Sequence, residues 1–233
     1  MARPETVNQE SIKNKTRGFS MKLSIHKIVI LFASLALLGA SVSSSFAARY
    51  QEGVQYERVI PAQPTTAAPG QVEVVELFWY GCPHCYRLEP YVNRWLKKKP
   101  ANVKFVRMPG MFQPSWEIGA RAYYTAEILG VVDKIHEPMF EAIHEQKRRM
   151  STEAEIMALF KQHGVAEKDF KRVFRSFAVE TKLRRARDMG HRYGARGVPT
   201  IIVNGKYRTG AQEAGGNARV FQVVDYLVQQ ESK

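Results

Sequence analysis

Two cysteines, Cys82 and Cys85, are the residues of this 233-residue chain whose type and spacing most clearly indicate chemistry. Only two residues separate them, so a disulfide between them closes almost no loop and adds little stability by constraining the unfolded chain. A zinc site is the alternative, but structural zinc usually takes two such pairs, whereas this chain has one. We therefore expect no metal, and we interpret the pair as a redox dithiol that exchanges disulfides.

The elements around the two cysteines support this interpretation. Residues 71–80, QVEVVELFWY, are rich in β-branched and aromatic side chains and predict a strand. Residues 83–98 predict a helix, because apolar side chains recur at helical spacing and Pro83 occupies the first turn, where proline is tolerated. Residues 102–108, NVKFVRM, predict a second strand. This order predicts a parallel βαβ unit that places Cys82 at the start of its helix.

The rest of the chain predicts a block of helices followed by a hairpin. The helical block begins at an N-cap, Ser115, contains a capping box formed by Thr152 and Glu155, and ends near Gly194. In residues 197–210, GVPTIIVNGKYRTG, two apolar runs flank Asn-Gly, which is a strong signal for a hairpin with a type I′ turn. A closing helix with apolar residues at helical spacing follows. The predicted order is thus βαβ, helices, ββα.

The position at the helix start predicts different roles for the two thiols. Free backbone N–H groups and the helix macrodipole favour negative charge at Cys82, so its thiolate should be stabilised and its pKa lowered. Cys85 lies one turn further in, and we expect it to be further from solvent. Cys82 is therefore the predicted exposed sulfur that attacks a client, and Cys85 is the resolving thiol. His84 can donate to the thiolate or place positive charge near it; the alternative is an ordinary surface histidine.

Glu76 is a further candidate for the chemistry of the dithiol. Side chains alternate faces along a strand, so Val74, Glu76 and Phe78 share one face. A central parallel strand is covered on both faces, which would bury this carboxylate near the cysteines. Because burial raises the pKa of a carboxyl group, Glu76 could accept a proton from Cys85 and return it. The alternative is a solvated glutamate on an edge strand.

Residues 1–47 indicate a targeting segment. A basic start, an apolar run too short to span a membrane and small residues before Ala47 are typical of a secretory signal peptide. We expect cleavage near Ala47, with an uncleaved membrane anchor as the alternative. Residues 1–20 form an N-terminal extension, and the sequence leaves the start codon open between Met1 and Met21.

The chain is basic, with a formal net charge of +13. Residues 1–47 hold six of its 35 basic and two of its 22 acidic residues, so the remainder still carries +9. An excess of positive charge can attract nucleic acid, but an exported protein rarely meets any, so no nucleic-acid partner is expected. The basic runs 97–99, 147–149 and 184–187 are interpreted as solvated helix faces.

Two motifs together resemble one protein family. FWYGCPHCY (78–86) and GVPTIIVNGKY (197–207) resemble the DsbA family of periplasmic thiol:disulfide oxidoreductases. The predicted helices between the motifs match that family as well, and the resemblance covers nearly the whole chain after residue 47. It implies an α/β, thioredoxin-like fold with an inserted all-helical subdomain. The implied parts are a first thioredoxin-like part at 48–109, a helical insertion at 110–190 and a second thioredoxin-like part at 191–233.

The resemblance also implies roles for individual residues. Pro83 and His84 would form the catalytic tetrapeptide with the two cysteines, and Glu76 matches a buried acid of the family. Pro199 is expected to be joined to Val198 by a cis peptide bond and to face the dithiol, so that the Val198 backbone pairs with an extended client. An ordinary trans turn proline is the alternative. No cofactor is implied beyond the redox-active disulfide itself.

The implied function is a periplasmic, monomeric dithiol oxidase. It would donate its disulfide to unfolded exported proteins with free thiols, through a mixed disulfide on Cys82, and a membrane quinone-linked partner of the DsbB type would reoxidise it. A disulfide isomerase or reductase of the same fold is the alternative. Isomerases of this kind carry an N-terminal dimerisation domain, but only residues 48–81 precede Cys82 after cleavage, and many have threonine where this chain has Val198. A non-catalytic binding module is less favoured, because both thiols are present.

Overall fold

The structure is a computed structural model that describes residues 50–232, and the predicted signal peptide at 1–47 lies outside these described residues. The strands are β1 (Glu57–Arg58), β2 (Val72–Phe78), β3 (Val103–Pro109), β4 (Thr200–Val203) and β5 (Tyr207–Thr209). The helices are α1 (Pro83–Leu96), α2 (Glu117–Ile128), α3 (Val132–His144), α4 (Glu153–Gln162), α5 (Glu167–Phe174), α6 (Phe177–Arg192), α7 (Ala211–Ala214) and α8 (Asn217–Glu231). None of these helices is long and apolar enough to cross a membrane.

A five-stranded sheet in the order β1-β5-β4-β2-β3 forms the centre of the fold. β2 pairs in parallel with β3 and antiparallel with β4, so the predicted parallel βαβ unit is confirmed within a mixed sheet. All seven residues of β2 are buried, as expected for a strand that is covered on both faces. The strand that leads into the two cysteines is thus the most enclosed strand of the sheet.

Two hydrophobic clusters cover the two faces of the sheet. On one face, Val74 and Val203 pack with residues of α1 and α8. On the other face, Val75 packs with the helices α2 to α6. Helix α1 contributes to both clusters, with Cys85 in one and Leu88 in the other. Since each fully buried aliphatic side chain contributes about 1.5–3 kcal/mol, packing on two sides fixes the helix that carries the dithiol.

The hairpin between β4 and β5 has the predicted turn. Asn204 and Gly205 have φ angles of 51° and 65°, and two positive φ angles define the type I′ turn. Glycine is required at the second position, because an added Cβ would lie 2.0 Å from the carbonyl oxygen of Gln63. The Gln63 N–H donates to the Gly205 carbonyl at 2.9 Å. The turn therefore also holds the segment that precedes β2.

The starts of two helices show what local sequence signals predict correctly and what they miss. The capping box of α4 is confirmed, with the Glu155 N–H donating to Thr152 Oγ1 and the Thr152 N–H donating to the Glu155 carboxylate. The prediction of Ser115 as the N-cap of α2 is wrong. A 3-10 turn at Pro114–Trp116 comes first, and α2 begins at Glu117. Pro114 needs no N–H partner in a first turn, so the turn starts before Ser115 can cap it.

Helices α2 to α6 form a continuous run between β3 and β4. They pack on one another and on one face of the sheet through a shared cluster of buried side chains. The predicted boundary after residue 190 falls in the last turn of α6, which ends at Arg192. The division into parts stays a prediction, whereas the position of the helical run between the two β regions is a property of the structure.

Candidate active site

The two cysteines lie at the N-terminus of α1. Cys82 is the N-cap residue, with an extended backbone, and Pro83 is the first residue of the helix. No side chain caps this end, so the first N–H groups are available to a charge on the Cys82 sulfur. Cys85 lies within the first turn, and both cysteines are free thiols. The placement of the pair at the helix start is thus confirmed.

The environment shifts the pKa values of the two thiols in opposite directions. A hydrogen bond from the Cys85 thiol, the backbone N–H groups of Cys85 and His84 and the field of His84 lower the pKa of Cys82 to about 6, although burial opposes them. Burial, the hydrogen bond to Cys82 and the charges of Cys82 and Glu76 raise the pKa of Cys85 far above its ordinary value. Negative charge therefore resides on Cys82, and Cys85 keeps the proton.

Cys82 is more covered than we predicted. Only 7% of the residue is exposed, whereas Cys85 is fully buried. The Cys82 Sγ lies 3.5 Å from the carbonyl oxygen of Val198, because the loop that precedes β4 packs over the helix start. The sulfur that is more accessible is still Cys82, but a client reaches it only beside this loop.

The loop contains the predicted cis proline. The Val198–Pro199 peptide bond is cis, and the Thr200 hydroxyl donates to the Gly197 carbonyl at 2.8 Å, which closes the loop onto β4. A cleft of about 700 Å³ lies alongside, and we call it the cis-proline cleft. Its lining includes His84, Arg196, Val198, Pro199 and Glu213. The proline and the histidine therefore line one cleft, and Cys82 lies beside it through its contact with Val198.

His84 is exposed at this cleft and has a partner that the sequence analysis did not identify. Nη2 of Arg87 lies 3.0 Å from Nδ1 of His84. Since a guanidinium only donates, Nδ1 accepts and the ring proton of a neutral His84 is on Nε2. Arg87 follows three residues later on the same helix, and this spacing is the signal that could have predicted the contact.

A stacked pair of tryptophans flanks the helix start. The rings of Trp79 and Trp116 lie 4.3 Å apart at an interplanar angle of 5°, and Phe112 packs edge-on against Trp116. Gly81 makes this arrangement possible, because a Cβ at that position would lie 2.2 Å from the Trp79 ring. The chain therefore has a glycine immediately before Cys82 for a steric reason.

Glu76 is fully buried below the dithiol, as predicted. Nε of Arg107 lies 3.4 Å from one carboxylate oxygen, but neither oxygen of Glu76 accepts a hydrogen bond from any residue that the structure describes. Burial and the charge of Glu89 raise the pKa of Glu76 to about 8, although Arg107 opposes them. Glu76 is consequently protonated at neutral pH.

A second buried acid, Glu89, has a different environment. Nη2 of Arg107 donates to one of its oxygens and Nε2 of His136 lies next to the other, each at 3.1 Å. Burial alone would raise the pKa of Glu89, but the hydrogen bond from His136 and the charge of Arg107 lower it. The Tyr80 hydroxyl lies 3.0 Å from Nδ1 of His136. A hydrogen-bonded chain thus runs from Tyr80 to Arg107, and Glu76 lies beyond its end.

Comparison with known proteins assigns the chain to a family. The model of the DSBA-like thioredoxin domain matches residues 115–228. The thiol:disulfide interchange protein DsbA of Pseudomonas syringae pv. tomato is 41% identical over 204 residues, which cover 86% of this chain and 95% of that protein. The chain belongs to the DsbA family.

Further DsbA proteins support the same assignment. The thiol:disulfide interchange protein DsbA of Azotobacter vinelandii is 38% identical over 211 residues, which cover 91% of this chain and 98% of that protein. The crystal structure of Pseudomonas aeruginosa DsbA superposes with a TM-score of 0.76 at 38% identity, covering 79% of this chain and 96% of that one. The predicted α/β, thioredoxin-like fold with a helical insertion is confirmed, and the protein is a thiol:disulfide oxidoreductase.

In this DsbA-family protein the structure brings the predicted residues together in two layers. His84, Val198 and Pro199 line the cis-proline cleft, Cys82 lies beside Val198, and Glu76 is buried below them. Three charged or titratable residues of the lower layer were missed by the sequence analysis: Glu89, Arg107 and His136.

Signals for two of the missed residues are present in the sequence. Arg107 is the register partner of Glu76 in the parallel pair β2–β3, and Glu89 lies one helical turn after Cys85. His136 belongs to α3, and no local pattern places that helix against α1. In residues 50–232, no three Asp, Glu, His or Cys side chains are grouped so as to hold a metal ion, and the absence of a metal stays a prediction.

Proposed function

We propose that this protein is a dithiol oxidase that donates its Cys82–Cys85 disulfide to newly exported proteins. The observation that carries the proposal is the opposite shift of the two thiol pKa values, with Cys82 at about 6 and Cys85 strongly raised. A stabilised thiolate is a better leaving group and stabilises the reduced protein. The disulfide is consequently a stronger oxidant than one whose thiols are unperturbed.

The exchange proceeds through a mixed disulfide on Cys82. A client thiolate attacks the Cys82 Sγ, the bond to Cys85 breaks, and its electron pair goes to the sulfur of Cys85. A second client thiolate then attacks the client sulfur of the mixed disulfide, and Cys82 leaves as a thiolate. The client loses two electrons, and the protein gains them as a dithiol.

Glu76 is the proposed proton donor to Cys85 in the first step. Burial disfavours a Cys85 thiolate, so the sulfur must take up a proton as the bond breaks. Glu76 is protonated at neutral pH, and it lies close enough to Cys85 for its ionised form to raise the pKa of that thiol. The carboxylate that remains is stabilised by Arg107 at 3.4 Å. No hydrogen bond joins Glu76 to a partner in the described chain, so the transfer needs a side-chain movement or one bridging water.

The loop before β4 is the proposed binding site for the client. The Val198 carbonyl lies 3.5 Å from the Cys82 Sγ, the sulfur that the client attacks, which places the backbone of Val198 and Pro199 beside any residue attached to Cys82. An extended client segment can pair with this backbone as an added strand. His84 lies at the cis-proline cleft, where its Nε2–H can donate to a sulfur anion.

Family membership supports the cellular setting that we propose. The protein would be exported to the periplasm, cleaved near Ala47 and active as a monomer on unfolded proteins with free thiols. A membrane quinone-linked partner of the DsbB type would restore the disulfide. The redox-active disulfide would be the only redox group, with no further cofactor.

A reductase or isomerase of the same fold is the second candidate, and one observation favours it. The pKa of Cys82, about 6, is closer to the value of about 7 for thioredoxin than to the value of about 3.5 that is known for DsbA. The reduction potential separates the two candidates, since the potential of thioredoxin is about −270 mV and that of DsbA is about −120 mV.

A glutathione titration combined with a client assay tests the proposal. We expect a potential more oxidising than about −200 mV and formation of disulfides in a reduced, unfolded client when the oxidised protein is the only oxidant. Mixed with a client that contains a disulfide, Cys85→Ser should accumulate a client adduct on Cys82 by thiolate attack on that disulfide, and Cys82→Ser, the matched control, should accumulate none. A potential near that of thioredoxin would reject the oxidase and favour the reductase.

A further inference from the structure

Two buried acids share one arginine, and the structure treats them unequally. Both oxygens of Glu89 are engaged, one with Arg107 and one with His136, each at 3.1 Å. Within residues 50–232, neither oxygen of Glu76 has a hydrogen-bond partner, although its distance to Arg107 is only 3.4 Å. Hydrogen bonds to the charged form stabilise it, so Glu89 is the acid that ionises. The proton that the pair retains is then on Glu76.

We propose that His136 is a positioning residue of the exchange reaction: by donating to Glu89, it holds this acid ionised and keeps the proton of the pair on Glu76, next to the dithiol. The inference rests on the proposed role of Glu76 as the proton donor to Cys85. His136 itself touches neither the client nor the sulfurs. It affects Cys85 indirectly, because it decides which of the two carboxyl groups, Glu76 or Glu89, holds the proton.

The surroundings of His136 fix the direction of its hydrogen bond. The ring is 7% exposed and packs edge-on against Phe78 and Phe140. An ionised Glu89 only accepts, so Nε2 carries the proton, and Nδ1 accepts from the Tyr80 hydroxyl at 3.0 Å. Burial lowers the pKa of His136, so the ring acts as a neutral donor.

The locations of the two acids agree with an ionised Glu89 and a protonated Glu76. A cleft of about 540 Å³ lies between α1 and α3, and its lining includes Glu89, Arg107 and His136. We call it the α1–α3 cleft. The ionised acid therefore lies at the solvent side, with 10% of its side chain exposed, whereas Glu76 is completely buried. Charge is less costly at the side that water reaches.

Few other groups can alter the balance. Five titratable or charged groups, each on a different element, face the two acids. They are Arg107 (β3), Cys85 (α1), His136 (α3), Tyr80 (the segment after β2) and Tyr123 (α2). Glu137 also acts on His136 from the same helix. Of these groups, only Arg107 and His136 donate a hydrogen bond to one of the two acids, and Arg107 is close to both. His136 is thus the group that distinguishes Glu89 from Glu76.

Site-resolved titration tests the position of the proton. Glutamate labelled with ¹³C at Cδ reports the protonation of each carboxyl group by NMR, and Glu76→Gln and Glu89→Gln assign the two signals. In His136→Phe, which keeps a ring but removes the donor, the midpoint of Glu89 should rise by about one pH unit, because a hydrogen bond to its charged form is lost. The midpoint of Glu76 should fall as its neighbour carries less charge. His136→Gln, which can still donate, should restore most of each midpoint.

A matched control removes the hydrogen bond on the other side of the His136 ring. Tyr80→Phe deletes the hydroxyl that donates to His136 and leaves the contact between His136 and Glu89 in place, so the midpoint of Glu76 should stay within a few tenths of a pH unit. If His136→Phe does not fold, His136→Leu provides the same test, since it also removes the donor to Glu89 and should lower the midpoint of Glu76. An unchanged Glu76 midpoint in the folded variant would overturn the proposal.

Kinetics distinguish this role from a structural one. Reaction of the oxidised protein with reduced glutathione should slow in His136→Phe, and more at pH 8 than at pH 7, as the protonated fraction of Glu76 falls. In a Glu76→Gln background the same substitution should cause no further slowing. Equal slowing in both backgrounds would show a structural effect and reject the proposal for His136 alone. If Glu76→Gln itself leaves the pH profile unchanged, the proposed role of Glu76 fails first.

Discussion

Raising the pH from 6 to 9 should stabilise the reduced protein through Cys82. Folding lowers the pKa of this thiol from an ordinary value of 9.0 to about 6. A group whose pKa is depressed in the folded state contributes stability that is complete above the unfolded-state value and is lost as the pH falls through the folded-state value. The contribution therefore grows from about pH 6 to about pH 9 and is nearly absent at pH 5.

The size of the effect follows from the two pKa values. At about 1.36 kcal/mol for each pH unit, the full contribution has a ceiling of about 4 kcal/mol. Screening by solvent and by nearby protein charges reduces the gain to about 2–3 kcal/mol at pH 9 and about 1 kcal/mol at pH 7. Since 30 mV corresponds to about 1.4 kcal/mol, the gain at pH 9 makes the disulfide more oxidising by about 50 mV.

Urea unfolding of the reduced protein at pH 5, 7 and 9 measures this contribution. The matched control is Cys82→Ala, which removes the thiol and leaves every other titrating group, so the difference between the two proteins isolates Cys82. We expect this difference to increase by about 2–3 kcal/mol in favour of the reduced native protein from pH 5 to pH 9. A difference that is the same at all three pH values would refute the thiolate assignment on which the oxidase proposal depends.

Two further predictions concern the cysteines and the buried charges. Iodoacetamide at pH 7 should alkylate reduced Cys85→Ser readily and Cys82→Ser hardly at all, as mass spectrometry would show; faster alkylation of the second variant would reverse the roles of the thiols. Arg107→Met should destabilise the protein by about 3 kcal/mol at pH 8, because Glu76 and Glu89 lose their shared cation. The loss measured in urea should be smaller at pH 5, where protons replace the cation, and an equal loss at both pH values would contradict this account.

Several elements of the fold could be predicted because their signals are local. The β-branched and aromatic run of β2, the Asn204–Gly205 turn and the capping box of α4 each depend on residues within a few positions of one another, and each element is present in the structure. The prediction of Ser115 as an N-cap was wrong for an equally local reason, since the neighbouring Pro114 starts a turn one residue earlier. Local chemistry thus decides where elements begin, and it also decides where a prediction fails.

The lower layer could be predicted only in part, because it depends on contacts between distant segments. The burial of Glu76 followed from the face of its strand, and this prediction is confirmed. No sequence signal near Glu76 predicts the contact with His136, because this residue belongs to α3 and reaches Glu89 only through the packing of α3 against α1. The cover over Cys82 has the same origin, since Val198 lies 116 positions away. Tertiary packing, rather than any motif, sets the charge balance below the dithiol.

The stacked tryptophans give the protein a built-in optical reporter. Trp79 and Trp116 are two of its three tryptophans, and they flank the helix start at a ring distance of 4.3 Å. The third, Trp95, packs against Phe221 and donates to Asp225 in the other hydrophobic cluster. Emission and near-ultraviolet dichroism of the pair therefore come from the surroundings of the reactive sulfur, and Trp95 supplies an internal reference. Oxidation, reduction and the arrival of a client can be followed in the unlabelled protein.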